Sequence, residues 1–413
     1  MGRREKVVVG LDVGSAKVGA LIGVIRDSGI ELAGFSSTES RGVKRGVVVN
    51  LDAAADSIRR SVGEAEAMAK VEADQVFVGI AGPHVKSFNS KGVIPLATRS
   101  REIGSDDVRR VIETARVVAL APDREIVHIL PQEFTVDDEP GIVDPIGMVG
   151  ARLEVNVHIV TSSTTAAQNI VTAVNRAGLL VGDTVLEPIA AGEAVLTDDE
   201  RELGTVLVDI GAGKTSVAIY HRGAVRHSAV VPIGGELFTN DIAVGLRTTI
   251  PEAERLKREH GCALSSMASA DAVFEVAGIG SRPARSIAQQ VLSDILQPRA
   301  EEIVHFVRTE IRNAGYDRQA GAGLVLTGGG AKLKGLAQLA EEILDLPIRI
   351  GSSFPAFETA GIRASNFFSA EGPEFATLSG LVLLGERRRR SQDFHENPGS
   401  GLKKLVAKLR TLM

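Results

Sequence analysis

The sequence predicts an α/β protein of two similar halves, with a smaller α+β module inserted into the first half. One observation is a strand, a glycine-rich turn and a second strand near the amino end, with Asp12, Gly14 and Lys17 in the turn. Another is that the same pattern returns 197 positions later. The matching residues there are Asp209, Gly211 and Lys214. Two such units so far apart indicate a duplicated α/β domain pair. The third observation is an intervening stretch of different texture, residues 84–162.

Length and composition exclude several classes of protein. The chain has 413 residues, 44% of them hydrophobic, which suffices for well-formed cores in roughly two to four domains. Cys262 is the single cysteine, so no intramolecular disulfide or cysteine-based zinc site can form, which fits a reducing cytoplasm. We expect no signal peptide and no transmembrane helix, because the apolar runs are too short. A net charge of −5, with no Trp and 2 Tyr, argues against nucleic acid as a partner.

Apolar runs and turn residues predict the elements of the first half. The expected strands are Val7–Leu11, Val18–Ile25 and Gln75–Ala81, and the expected helix is Leu51–Lys70. Residues 84–162 contain a strand-like Val93–Leu96, a helix from Ser105 to about Val118, a charged loop at 137–140 and a strand-like Val155–Val160. This mixture is enough for a small α+β subdomain. A Ser/Thr cluster then predicts a helix over Ala166–Ala177, which ends at the next glycine.

The second half repeats the order of the first. The expected strands are Val206–Asp209, Ser216–Tyr220 and Leu324–Leu326, and the expected helices are Ile250–Gly261, Ser286–Asn313 and Phe375–Gly385. Residues 386–400 are polar and end in turn formers, which predicts a flexible linker.

The glycine-rich turns are suited to phosphate groups. Glycine lets backbone N–H groups approach anionic oxygens without a clash from Cβ. An aspartate at each strand end can hold a hydrated Mg²⁺ between facing turns, and the lysine of each turn can add compensating charge. Two common nucleotide motifs fail, because Val208 stands where a P-loop needs glycine and Ser216 where the dinucleotide motif needs it. A single turn of this kind is more often a plain hairpin, but two in register favour a phosphate clamp.

Two further features accompany these turns. The run Thr327–Gly330 follows a buried strand, and its glycines let the backbone lie against a flat ring or a ribose. The plain alternative is a strand-to-helix turn in which Ala331 starts the helix. Glu187 precedes Pro188 and a helix of small residues. Taken alone, such a glutamate is more often a loop carboxylate than a catalytic base.

These features together resemble the actin, DnaK-chaperone and sugar-kinase superfamily, and more closely the FtsA family of bacterial cell-division proteins. The superfamily resemblance rests on the two Asp–Gly turns, the Glu187–Pro188 connection and the glycine triplet. The closer resemblance covers nearly the whole chain, including its basic end. It is carried by the longer runs Val185–Gly211, Arg258–Leu264 and Gly280–Ser286. It implies an actin-like, duplicated two-lobed fold with a nucleotide cleft and an inserted α+β subdomain.

The resemblance implies ATP with Mg²⁺ in the cleft, with Asp12 and Asp209 holding the hydrated metal. The implied backbone contacts to phosphate are Gly14, Ser15, Gly211, Ala212 and Gly213. The triplet Gly328, Gly329 and Gly330 would pack on the nucleoside. Further implied cofactor contacts are Lys17, Lys214, Thr215, Gly234 and Gly235. Glu254 and Lys257 match an Ala-Glu-x-x-Lys pattern that contacts ribose and base in relatives, although a solvated i,i+3 ion pair is the plain alternative.

Hydrolysis is expected to be slow at most. Glu187 matches the position of a water-orienting carboxylate in chaperone relatives and is the implied catalytic residue. Lys214–Thr215 departs from the chaperones' Gly-Gly-Gly-Thr form, however. The resemblance therefore implies nucleotide binding that controls assembly, with the protein forming actin-like protofilaments with itself.

The resemblance also divides the chain and implies partners. The expected parts are lobe 1 (1–83, 163–203 and 365–385), the inserted subdomain (84–162), the core of lobe 2 (204–240 and 310–364), its outer subdomain (241–309), the linker (386–400) and a terminal helix (401–413). The inserted subdomain would contact the next protomer and later membrane proteins of the divisome. Arg285 and Arg299 would bind the acidic carboxyl-terminal tail of FtsZ through charge-assisted pairing. The plain alternative is that both arginines are solvated residues on a helix surface and bind no partner.

The carboxyl end has the pattern of a helix that lies on a membrane. At 100° per residue, its apolar side chains fall on an arc of roughly 120°. They are Leu402, Leu405, Val406, Leu409, Leu412 and Met413. The basic residues outside the arc are Lys403, Lys404, Lys408 and Arg410. Such a helix binds an anionic lipid surface reversibly, which predicts a peripheral membrane protein. The resemblance implies that this surface is the cytoplasmic side of the inner membrane, at the division site. Arg387–Arg390 is either a second membrane-facing patch or a solvated helix end.

Two other functions fit part of the pattern. A kinase for a sugar or an acid would need a substrate pocket and a base in the cleft, and would not account for the amphipathic end. An actin-like platform of pilus assembly also has the inserted module, but lacks such a tail.

Overall fold

A computed structural model describes residues 6–26, 29–96, 101–280, 283–353, 363–364 and 372–396. The strands are β1 (Val7–Val13), β2 (Lys17–Arg26), β3 (Gly29–Glu39), β4 (Val43–Lys44), β5 (Val47–Val48), β6 (Gln75–Ile80), β7 (Lys86–Pro95), β8 (Arg101–Glu102), β9 (Arg124–Val136), β10 (Glu139–Ile142), β11 (Val149–Gly150), β12 (Arg152–Ser163), β13 (Leu180–Leu186), β14 (Thr205–Ile210), β15 (Thr215–His221), β16 (Ala224–Val231), β17 (Val273–Val276), β18 (Arg285–Ala288), β19 (Leu324–Thr327), β20 (Ile348–Ile350) and β21 (Arg363–Ala364). The helices are α1 (Leu51–Ala69), α2 (Ser105–Arg116), α3 (Thr164–Arg176), α4 (Glu187–Val195), α5 (Asp198–Leu203), α6 (Gly235–Gly245), α7 (Ile250–His260), α8 (Gln289–Asn313), α9 (Leu336–Leu344) and α10 (Ala376–Glu396).

The two lobes contain sheets of the same topology. In lobe 1 the order is β13-β6-β1-β2-β3-β21, and in lobe 2 it is β16-β15-β14-β19-β20. Each lobe has an antiparallel run of three consecutive strands, β1-β2-β3 or β14-β15-β16. In each, the first strand of that run also pairs in parallel with a later strand, β6 or β19. The duplicated α/β architecture predicted from the repeat is therefore confirmed.

Local sequence accounts for the elements that frame the first turn. Strands β1 and β2 consist mostly of apolar residues, and their apolar side chains are buried on both faces of the sheet, as expected of a central strand pair. Helix α1 begins after Asn50, whose side chain accepts a hydrogen bond from the N–H of Ala53. It buries Ala54, Ile58 and Val62 at helical spacing against lobe 1, which fixes one side of the sheet.

The inserted subdomain is an antiparallel sheet covered by one helix. Its four strands follow the order β10-β9-β12-β7, and α2 packs on β7 and β12. It also reaches lobe 2, because the Ser87 hydroxyl donates to the carbonyl of Ser228 on β16 at 2.6 Å. The Gln132 amide of β9 likewise donates to a carbonyl of β16, that of Val225, at 2.9 Å. A buried ring nitrogen of His158 lies 2.9 Å from the Ser228 hydroxyl. The subdomain thus leaves lobe 1 and contacts the edge strand of lobe 2.

Helices α4 and α10 lie between the two sheets. Helix α10 packs on β1, β2 and β6 of lobe 1, and α4 packs on β14 and β15 of lobe 2. The two helices contact each other along their apolar sides in one shared core. This arrangement puts the first residue of α4, Glu187, and the first turn of α10 next to the ends of the strands that carry the glycine-rich turns.

Three expectations need correction. Helix α10 continues to Glu396, through most of the segment expected to be a linker, because residues 386–396 are polar but compatible with a helix, and the turn formers begin only at Asn397. Arg285–Ala288 is a strand paired with β17, so the predicted helix from 286 begins at Gln289. The short strand at 363–364 pairs with β3 and so belongs to lobe 1.

The inserted subdomain contains a further difference. The loop expected at 137–140 is a tight turn into β10, in which Asp137 adopts a left-handed conformation with φ of 53°. The amphipathic segment 401–413 lies outside the described residues. Within the part of the chain that is described, no helix is long and apolar enough to cross a membrane.

Candidate functional site

The two predicted turns have the same backbone geometry. In the first, the N–H of Gly14 donates to the Lys17 carbonyl at 3.0 Å, and in the second the N–H of Gly211 donates to the Lys214 carbonyl at 2.9 Å. Each turn closes a hairpin whose first strand carries the aspartate, at Asp12 or Asp209.

The two turns face each other across the boundary between the lobes. A Cβ built on Gly213 would lie 2.6 Å from the Ser15 hydroxyl oxygen and 3.1 Å from the Arg45 backbone, so a larger residue here would have to displace its neighbours. The ammonium of Lys214 crosses to lobe 1, where it contacts a Glu187 carboxylate oxygen at 2.7 Å and the Ala81 carbonyl at 3.2 Å. The structure therefore brings Ser15, Gly213, Lys214 and Glu187 together at one cleft.

The third turn lies against the second. Gly328 has a φ of +80°, and a Cβ on it would stand 2.2 Å from the Oδ1 of Asp209. A Cβ on Gly330 would meet the Ile210 side chain at 2.3 Å. For Gly329, by contrast, the nearest neighbour of a Cβ is a Glu374 atom at 3.9 Å. Two glycines of the triplet thus pack the turn against Asp209 and Ile210, and the third has space beside it. Residues 329–332 form a 3-10 turn, and the following helix begins only at Leu336 rather than at Ala331.

Glu254 and Lys257 form the predicted i,i+3 ion pair, but the pair is not simply solvated. Its atoms are 2.6 Å apart, and the Lys257 ammonium also donates to the Gly235 carbonyl at 3.0 Å. Thr239 donates to Glu254 at 2.6 Å. Burial acts to raise the pKa of Glu254, but hydrogen bonds from Lys257 and Thr239 outweigh it and hold that pKa below its usual value. The pair therefore links α7 to the start of α6.

The start of α6 is joined to the second turn. The N–H groups of Gly235 and Glu236 donate to the carbonyls of Gly211 and Ala212, each at 2.8 Å. A Cβ on Gly234 would come within 2.6 Å of the Ala212 carbonyl oxygen. Gly234 and Gly235 are thus brought next to Gly211 and Ala212, and their contact with a cofactor stays a prediction.

The cleft concentrates buried negative charge. Burial raises the pKa of Asp12, and burial together with the nearby Asp12 carboxylate raises the pKa of Asp209 to about 6. Burial raises the pKa of Glu187 to about 7, against the opposing effect of Lys214. A cation bound beside these carboxylates would relieve their mutual repulsion.

The donor set fits a hydrated magnesium ion. Mg²⁺ typically takes one or two protein carboxylates and keeps water and phosphate oxygens as its other ligands. Asp12 and Asp209 supply carboxylates from facing turns. Among the described residues, no group of three or more His, Cys, Asp or Glu side chains is placed to hold a metal by itself. A cation here would therefore depend on phosphate and water as well.

Two predicted contacts have other partners in this structure. The Thr215 hydroxyl, on β15, donates to the Ile233 carbonyl at 2.7 Å, so this side chain holds the loop between β16 and α6. The Lys17 ammonium lies 4.0 Å from the centre of the Phe375 ring. Burial lowers the pKa of Lys17. The first lysine thus stays within its own lobe, whereas the second crosses the cleft.

The arginines predicted to bind partners are engaged within the chain. Arg299 pairs with Asp241 at 2.8 Å and with Glu302, and the Arg285 guanidinium donates to the Leu246 carbonyl. Arg285 lies on a strand, so the two do not share a helix surface. At the carboxyl end, Arg387 pairs with Glu193 of α4 and Arg388 with Asp183, so these two are neither a free basic patch nor a solvated helix end.

Sequence reasoning missed one residue of the site. The Thr377 hydroxyl donates to the Oδ2 of Asp209 at 3.1 Å. Thr377 is 168 positions away in the chain, in a helix that otherwise reads as apolar core. No local motif marks it, and only the packing of α10 between the sheets brings it to the aspartate.

Comparison with solved structures identifies the class of protein. The PilM-PilN type IV pilus biogenesis complex matches with a TM-score of 0.66 at 18% identity, covering 92% of this chain and 98% of that one. MreB5 of Spiroplasma citri bound to ADP matches with a TM-score of 0.56 at 14% identity, covering 95% and 99%. With its duplicated sheets and facing turns, this chain has the actin-like fold, as predicted.

Sequence comparison identifies the family. The family model described as "Cell division protein FtsA" matches residues 206–380, and the one described as "SHS2 domain inserted in FTSA" matches residues 82–161. The chain is 42% identical to the cell division protein FtsA of Pseudomonas aeruginosa over 385 residues, covering 93% of this chain and 90% of that protein. It is 36% identical to FtsA of Escherichia coli over 390 residues, covering 92% and 91%. The chain therefore belongs to the FtsA family of cell division proteins.

Proposed function

We propose that this protein binds ATP with Mg²⁺ in the cleft between its lobes and assembles into actin-like filaments that tether FtsZ to the cytoplasmic face of the inner membrane and recruit later division proteins. The observation that carries the nucleotide part is the convergence of three glycine-rich turns on Asp12 and Asp209, with a Glu254–Lys257 pair beside them. The similar structure of MreB5, described as bound to ADP, supports a nucleotide in this place.

The cleft residues have distinct parts in this function. The N–H groups of Gly14 and Gly211 already donate within their own turns, so the phosphate oxygens would be bound by the N–H groups of Ser15, Ala212 and Gly213. Asp12 and Asp209 would hold the magnesium. Bound Mg²⁺ would supply positive charge that neutralises the phosphates. Glu187 would orient water, but Lys214 holds its carboxylate at 2.7 Å and its raised pKa leaves it partly protonated near neutral pH. Slow hydrolysis at most follows from this arrangement.

The membrane part rests on the pattern of residues 401–413. Each of their four basic side chains contributes on the order of 1 kcal/mol near an anionic surface, so a single copy binds weakly and reversibly. A filament that presents many copies binds far more tightly. Liposome flotation of the full chain and of a version that ends at Ser400, each with and without Mg·ATP, tests this. We expect flotation of the full chain only, increased by Mg·ATP, and equal flotation of both would refute the membrane role.

The FtsZ part rests on the outer region of lobe 2, where Arg285 and Arg299 lie. We expect Arg285→Glu and Arg299→Glu each to weaken binding of an FtsZ carboxyl-terminal peptide by about tenfold, as the loss of a charge-assisted contact would. Arg312→Glu, an exposed position near the end of α8, is the matched control. Since Arg299 also pairs with Asp241, a melting curve of each variant separates a lost contact from a disturbed fold. Unchanged affinity in both variants would place the FtsZ site elsewhere.

A further inference from the structure

Helix α10 runs from the cleft to the last described residue of the chain. Its 21 residues correspond to a length of about 30 Å. The 3-10 turn that leads into it, Pro373–Phe375, is attached to the third glycine-rich turn. There the Gly328 N–H and the Thr327 hydroxyl both donate to the Pro373 carbonyl at 2.9 Å. One end of this helix is therefore part of the candidate nucleotide site.

Thr377, in the first turn of α10, holds one side of the Asp209 carboxylate. Its hydroxyl donates to Oδ2 at 3.1 Å, and the threonine is 5% exposed. The other oxygen, Oδ1, faces Gly328, where any Cβ would come within 2.2 Å of it. The carboxylate is thus fixed from both sides, by a hydroxyl of one lobe and by a turn of the other. A fixed orientation matters because Mg²⁺ demands near-ideal octahedral geometry.

Helix α10 is also joined rigidly to α4. At their crossing a Cβ on Gly380 would lie 1.6 Å from the Ala190 carbonyl oxygen, so the two backbones are in direct contact. Further along, Arg387 pairs with Glu193, which also pairs with Arg201 at 2.8 Å. Burial acts to raise the pKa of Glu193, but the two arginines outweigh it and hold that pKa below its usual value. Because α4 begins at Glu187, both helices start in the cleft and are locked together away from it.

From these contacts we propose that Thr377 is a positioning residue for Asp209, and that through it the state of the cleft is transmitted along α10 towards Glu396. This rests on the proposed function, in which Asp209 binds the magnesium of ATP. A change at the Asp209 carboxylate acts directly on the first turn of α10, and the contacts with α4 oblige the helix to respond as one unit.

The first test measures nucleotide affinity with a fluorescent ATP analogue. Thr377→Val keeps the shape of the side chain but removes the donor, and we expect it to weaken binding in Mg²⁺ by about tenfold and in EDTA by less than about threefold. Thr377→Ser keeps the hydroxyl and is expected to bind like the wild type. Thr309→Val, an exposed threonine of α8 whose hydroxyl bonds only its own helix, is the matched control. If Thr377→Val does not fold, Thr377→Ala takes its place.

The second test measures the coupling by hydrogen–deuterium exchange along residues 376–396, with and without saturating Mg·ATP. We expect nucleotide to slow exchange along the whole helix in the wild type and in Thr377→Ser, but only near its start in Thr377→Val. Equal effects of Val and Ser, a loss of affinity that is the same in EDTA, or protection of the whole helix in Thr377→Val would each overturn the proposal. Failure of the wild type to bind the nucleotide would refute the proposed function and this inference with it, whereas normal binding by Thr377→Val would refute this inference alone.

Discussion

The first and second glycine-rich turns share a backbone but differ in what their lysines do. The N–H of the glycine and the carbonyl of the lysine are 3.0 Å apart in one turn and 2.9 Å apart in the other. Yet Lys17 lies over the Phe375 ring of its own lobe, and Lys214 pairs with Glu187 of the opposite lobe. The two turns thus share this backbone hydrogen bond, while their lysine side chains make different contacts. Of the two turn lysines, only Lys214 therefore forms an ion pair between the lobes.

The largest expected effect comes from removing the lysine that crosses the cleft. At pH 8, Lys214→Met leaves the buried Glu187 without its partner. We expect the free energy of unfolding to fall by about 3 kcal/mol. This value is at the low end for a broken buried pair, because Glu187 can take up a proton. Urea unfolding measures it. In Lys214→Met with Glu187→Gln, position 187 no longer carries a charge that needs the lysine, so we expect a loss of about 1 kcal/mol or less. A double variant as unstable as the single one would contradict this account of the pair.

The aspartates test whether the two turns are equivalent in function. Asp12→Asn and Asp209→Asn each remove a carboxylate that would bind the metal, and we expect each to weaken ATP binding in Mg²⁺ by about a hundredfold, the order of one lost contact to a charged group. Isothermal titration calorimetry in Mg²⁺ and in EDTA measures this, with circular dichroism to check the fold. Micromolar affinity retained by either variant would show that its turn does not hold the metal.

The pH dependence of stability isolates the charge pair of the second turn. The pKa of Glu187 is raised from 4.5 to about 7 in the folded chain, so the folded state binds a proton that the unfolded state has lost between those values. The contribution of this group is therefore fully present below pH 4.5 and is lost as the pH rises through 7. We expect the free energy of unfolding of the wild type, relative to Glu187→Gln, to fall by about 2 kcal/mol between pH 5 and pH 8. A constant difference would show that Glu187 keeps an ordinary pKa.

The smallest expected effect belongs to the lysine of the first turn. Lys17→Met removes the charge over the Phe375 ring but leaves no carboxylate of the opposite lobe unpaired. We expect the free energy of unfolding to fall by about 0.5–1 kcal/mol, the worth of a cation–π contact. Urea unfolding beside Lys214→Met measures the contrast. Equal losses in the two variants would remove the distinction between the turns.

The sequence was sufficient to predict the fold and the glycine-rich turns that meet at the candidate site, because both depend on local patterns. The 197-residue repeat predicted the two sheets, and glycines next to an aspartate predicted the turns. The pair Glu254–Lys257 is one helical turn apart and so was visible as well. What sequence could not predict is contact between distant segments. Thr377 and Phe375 carry no local signal for the site, and only the packing of α10 between the sheets brings them there.

The errors have a similar physical basis. Residues 386–396 look like a linker because they are polar, but they form the end of α10, where Arg387 finds Glu193 on another helix. The helix was expected to begin at Ser286, but residues 285–288 form one strand of a two-stranded ribbon, since short ribbons depend on a partner strand more than on their own pattern. In both cases tertiary contacts outweighed local composition.

The contact between the inserted subdomain and β16 has a consequence for how the protein denatures. The subdomain is part of the chain of lobe 1, yet Ser87, Gln132 and His158 bond to the edge strand of lobe 2. With α4 and α10 packed between the sheets, neither lobe can melt without exposing surface of the other. We therefore expect a single cooperative heat-absorption peak in calorimetry, in place of the separate transitions that independent domains would show.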